Sequence, residues 1–131
     1  MNELIKQKWV EALTSGEYSQ GKGCLNNGQG GFCCLGVLTD LYVKEHGLEW
    51  EFIEYEDTPS FDGEAYITPL GVQAWSGIYT KVPYLPFPER ANFIGKDPEP
   101  IPEADISTSI AALNDEGITF PQIADLIKAF L

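Results

Sequence analysis

Apolar residues recur at helical spacing in five stretches of the chain and at strand spacing in a few shorter ones. Ile5, Trp9 and Ala12-Leu13 form the first stripe, with Lys6, Lys8 and Glu11 largely outside it. Asn2 is a capping residue just ahead of it, Glu3 suits the positive end of the helix dipole, and Gly16 suits a left-handed closing position. A second stripe, Cys34, Leu38, Leu41 and Tyr42 with Leu35 beside them, predicts a helix that stops at His46-Gly47. Thr68-Pro69 reads as the cap and first residue of a third helix, which carries Leu70, Ala74 and Trp75 and ends at Gly77. Ile106, Ile110 and Leu113 predict a short fourth helix, broken by Asn114-Asp115-Glu116-Gly117. Phe120, Ile123, Ile127 and Phe130 predict a last one, opened by a Thr119/Gln122 capping-box pattern with Pro121 in the first turn.

The strand signals are weaker. Cys24-Leu25 and Phe32-Cys33 read as two short strands joined through Asn26 to Gly31, a hairpin signal because Asn-Gly reaches positive φ at low cost. Trp50 and Phe52 alternate with Glu49 and Glu51, and Ala65-Tyr66-Ile67 reads as a strand pairing back across the intervening turn residues. From Ile78 to Pro102 proline excludes regular helix, yet Tyr79, Tyr84, Leu85, Phe87, Phe93 and Ile94 predict an ordered loop pressed onto the core. The expected fold is a single α+β domain over residues 1–131, with a small, mostly antiparallel sheet packed against four or five helices.

Charge narrows the function classes. The formal net charge is −12, from 20 acidic and 8 basic residues. Such a chain is repelled by phosphate backbones and has no basic stripe to offset that, so direct nucleic-acid binding is not expected. The stretch from Glu45 to Glu64 is wholly one-sided, with carboxylates and neither lysine nor arginine. No apolar run approaches the roughly 20 residues of a membrane span, and no leader pattern is present, so a cytoplasmic place is expected.

Catalytic chemistry finds little purchase. Three cysteines, two of them adjacent, do not make a disulfide framework, and one histidine without a C-x-x-C pair does not make a zinc site. Cys34 and His46 stand twelve residues apart on one predicted helix, about 18 Å along its axis, beyond the reach a thiol–imidazole pair needs. Carboxylate pairs such as Glu51/Glu54 and Asp115/Glu116 are too common here to single out, and Asp57, Asp62 and Glu64 lack the spacing of a calcium loop. The closing F-x-x-I-A-D-x-I resembles the first helix of a helix-turn-helix, but with no recognition helix after it core packing or docking is expected. Two binding surfaces remain. Backbone amides around Gly28, Gly30 and Gly31 suit an anion nest, with Lys22 or Arg90 adding charge and Trp75 or Tyr84 offering a stacking face. Glu49, Glu51, Glu54 and Glu56 suit a basic protein partner.

The blocks WVEALTSGEYSQGKGCL, GGFCCLGVLTDLY, ITPLGVQAWSGI and ALNDEGITFPQIADLI, in this order, resemble a widespread set of small proteins carried by bacteriophages and prophages. CCLGVL and LNDEG-x-x-F-x-x-IAD-x-I are the specific parts. The resemblance implies an accessory gene of a mobile element acting inside a bacterium, and it carries over no catalytic residue. The expected function is therefore non-enzymatic binding without metal or cofactor, by sequestering a small anionic, nucleotide-like defence signal. The alternatives are an acidic inhibitor of a basic host protein, with a DNA mimic as one form, and an unrecognised hydrolase.

Overall fold

The computed structural model describes residues 1–52, 58–80, 83 and 109–131. Helix α1 (Glu3–Thr14) begins as its sequence predicts. The Asn2 side chain accepts the Ile5 amide at 3.1 Å, and Gly16 takes φ +81° beyond its end. Strands β1 (Ser19–Gln20) and β2 (Gly31–Phe32) follow, then α2 (Cys34–Glu45), α3 (Leu70–Ser76), α4 (Ile110–Asp115) and α5 (Phe120–Phe130). The capping box opening α5 forms in full between Thr119 and Gln122.

Helix α2 is the centre of the molecule. Every residue from Cys34 to Asp40 is buried, because α1, α3, α4 and β2 all pack against it. Trp9, with no exposed surface, donates its indole N–H to the Cys34 carbonyl at 2.9 Å and so ties α1 to the start of α2. The backbone of Leu25 crosses α2 at Gly36 so closely that a Cβ there would fall inside the Leu25 carbonyl oxygen. Glycine at this position is a packing requirement rather than a turn signal. Helices α1 and α5 share the broadest helix–helix contact and close the other side of the core.

The sheet departs from expectation. Its two strands are parallel, with Ser19 opposite Gly31 and Gln20 opposite Phe32. The predicted Cys24–Cys33 hairpin shrinks to one antiparallel bridge, Asn26 to Phe32. The cause lies in the two asparagines. Asn26 Oδ1 accepts the Gly28 amide at 2.8 Å, and Asn27 Oδ1 accepts those of Gln29 and Gly31 at 2.8 and 2.9 Å. These side chains build consecutive Asx turns, Asn27 also taking the Gly31 amide from the ladder, and on the other side of the bridge the Leu25 amide donates to the Ala65 carbonyl and the Cys34 amide to Asn114.

The second predicted pairing is also redrawn. Glu51 pairs with Ser60 through two backbone bonds of 2.7 and 2.9 Å, not with residues 65–67. Phe61 and Glu64 then pair around Asp62-Gly63, both at positive φ as a type I′ turn requires. At α3 the cap is Pro69 and not Thr68, whose buried hydroxyl has no partner among the described residues while its carbonyl accepts from Gln73 Nε2. Ser109 caps α4, which runs through Asn114 to Asp115 instead of breaking there. The ordered-loop reading of the proline-rich stretch falls mostly outside the described residues. Among the described residues no helix is long and apolar enough to cross a membrane.

Candidate functional site

The outer face of α2 carries a buried carboxylate surrounded by donors. Asp40 lies one helical turn before Lys44, and its side chain is 9% exposed. Its Oδ2 accepts the Tyr18 hydroxyl at 2.6 Å and pairs with Lys44 Nζ at 3.0 Å, while Oδ1 accepts the Trp50 indole N–H at 2.9 Å. Lys44 also donates to the Tyr18 oxygen at 3.3 Å, with its ammonium 5.1 Å from the centre of that ring. Burial, reinforced by the Asp40 charge, pushes the Tyr18 hydroxyl up to about 12, and the hydrogen bond to Asp40 raises Lys44.

A continuous row of rings spreads from this carboxylate across the molecule. It runs from Tyr18 through Phe32, Trp50, Phe61 and Tyr42 to Trp75 and His46, neighbouring centroids lying 4.2–6.4 Å apart. Trp50 is held inward by Asp40, so its sequence neighbours point out. Glu49 and Glu51 are exposed, and Leu48 and Phe52 are 45% and 74% exposed. Glu54 and Glu56, also expected on this face, lie outside the described residues.

The glycine-rich loop adjoins this face at Phe32, the residue after Gly31, with its amides engaged locally. Its Gly28 and Gly31 amides already donate to Asn26 and Asn27, and Gly30, at φ +90°, serves the turn. Lys22 is exposed beside Gly117. Trp75 packs on Tyr42 and on His46, the C-cap of α2, whereas the loop feeds the N-terminal end of that helix. Twelve residues of helix, roughly 18 Å, separate the two ends. Lys22, Gly28, Gly30 and Gly31 therefore do not share one pocket with Trp75. Tyr84 and Arg90 lie outside the described residues.

A second buried polar centre lies behind the loop, at a residue whose sequence context predicts a helix break. Asn114 has no exposed surface. Its Oδ1 accepts from the Cys34 amide at 3.2 Å and from Gln20 Nε2 at 3.0 Å, and its Nδ2 donates to the Gly21 carbonyl at 2.8 Å. Gln20 extends the network by donating to the Ile118 carbonyl and accepting the Phe120 amide, and Asp115 accepts the Gly23 amide. The signal was present: Asn114 follows Ile110 by four residues and so falls on the apolar stripe of α4.

The thiols are held away from reactivity. Burial pushes Cys33 up to about 11 and Cys34 well above its ordinary value, and burial with the Asp115 charge raises Cys24. Cys33 acts instead as the cap of α2, its sulfur accepting the Gly36 amide at 3.4 Å. Among the described residues no cluster of three or more histidine, cysteine or carboxylate side chains is placed to hold a metal ion.

A family described as a domain of unknown function, DUF8296, matches residues 1–131. The chain belongs to the DUF8296 family. No curated protein and no solved structure matches it. For this DUF8296 chain the blocks CCLGVL and LNDEG thus have a physical account in the Gly36 crossing and the Asn114 network, both of which serve the fold.

Proposed function

We propose that this DUF8296 protein is a non-catalytic binding protein of the bacteriophage accessory type, whose acidic, ring-bearing face engages a basic protein partner. One observation carries the reading. The Trp50–Asp40 hydrogen bond holds the half-buried Trp50 against the core, while Leu48, Glu49, Glu51 and Phe52 are exposed around it. Exposed apolar residues interleaved with carboxylates suit a partner that brings cations with apolar stems. The anionic-ligand reading has less support, because two of the three loop amides it relies on, those of Gly28 and Gly31, already donate to Asn26 and Asn27. A thiol hydrolase has less still, since a nucleophile needs a lowered thiol value and these are raised.

The test is affinity capture from a bacterial lysate at about 50 mM and about 300 mM salt, since screening weakens contacts between exposed charges. The wild-type chain is expected to retain a basic protein at the lower salt only. The Glu49→Gln/Glu51→Gln/Glu64→Gln variant is expected to lose it. Retention that ignores both salt and these substitutions would sink the proposal.

A further inference from the structure

We draw no further inference here: the strongest candidate, the groove along the outer face of α1 beside Lys128 of α5, is lined by Glu3 and Glu11 against Lys6 and Lys128, a balanced set of charges that selects no partner, and nothing in the structure shows what covers it.

Discussion

The Asn114 and Asp40 centres are built alike and do different work. Each buries one polar side chain and meets it with several partners. Those of Asn114 are mainly backbone groups and the side chain of Gln20, which is itself bonded to backbone at Ile118 and Phe120. That network closes on itself and joins the glycine loop, the start of α2 and the turn after α4. The partners of Asp40 are the side chains of Tyr18, Lys44 and Trp50, which begin at the surface and reach inward. One centre knits the fold; the other orients a face. The most distinctive sequence blocks belong to the first, so distinctiveness here marks packing, and the binding surface proposed here lies in the acidic stretch beside the second.

The contrast predicts a ranked set of effects, headed by the packing that surrounds Asn114. Gly36→Ala puts a methyl group into the Leu25 carbonyl, and backbone on both sides prevents relief. Overpacking that must shift backbone costs about 3 kcal/mol or more, so this variant is expected to lose its cooperative denaturant transition or shift it by at least that amount. An unchanged midpoint would mean that the Leu25 crossing is loose. Asn114→Ala comes next. It strands the Cys34 amide and the Gly21 carbonyl in a dry interior, at about 1–3 kcal/mol for each group left unpaired. Urea unfolding is expected to show a loss of about 3 kcal/mol, with Asn114→Asp recovering part of it through its acceptor oxygen.

Much of this order can be read in the sequence where it depends on neighbours along the chain. Asn2, Gly16, Thr119 with Gln122, and the stripes of α1, α2 and α5 all sit where local capping and periodicity place them. The misreadings occur where a distant partner decides. Asn26-Asn27-Gly28 is a hairpin signal by composition, but the asparagines satisfy the loop from within and β2 takes β1 as its parallel neighbour. Asn114 and Asp40 are polar residues on largely buried helices, and spacing alone does not reveal which backbone or indole group will meet them. The place of Trp75 was hidden for the same reason, since nothing local to it tells that it packs at the far end of α2 from the glycines.

The Asp40 centre predicts a smaller effect that depends on pH. The Tyr18 hydroxyl ionises near 12 in the folded chain, against an ordinary value of 10.0. The folded state therefore holds this proton more tightly than the unfolded one. Its contribution to stability is complete below about pH 10 and is lost as pH rises toward 12. Lys44, raised by the same carboxylate, loses its share in the same direction. Tyr18 is partly exposed, so solvent screening holds the effect to about 1 kcal/mol. A tyrosinate absorbance titration is expected to show a step near pH 12 that Tyr18→Phe removes. A stability profile through this range that is the same in wild type and Tyr18→Phe would show that the Asp40 centre does not hold the phenol.

The smallest effect on stability is expected on the face that the Asp40 centre orients. Glu49 and Glu51 are exposed, and the Glu51 backbone, not its carboxylate, pairs with Ser60. Glu49→Gln/Glu51→Gln therefore leaves every described hydrogen bond of the segment in place and relieves repulsion in a chain of net charge −12. Its unfolding midpoint is expected to stay within about 0.5 kcal/mol of wild type, on the stabilising side. Capture of a basic partner by the same variant is expected to fall. The pairing of these two readouts separates the regions: substitutions at the Asn114 centre lower binding only as far as they lower stability, whereas these lower binding alone. A variant that loses stability and binding together would place Glu49 and Glu51 in the structural class with Asn114, and the acidic face would then be part of what keeps the chain folded.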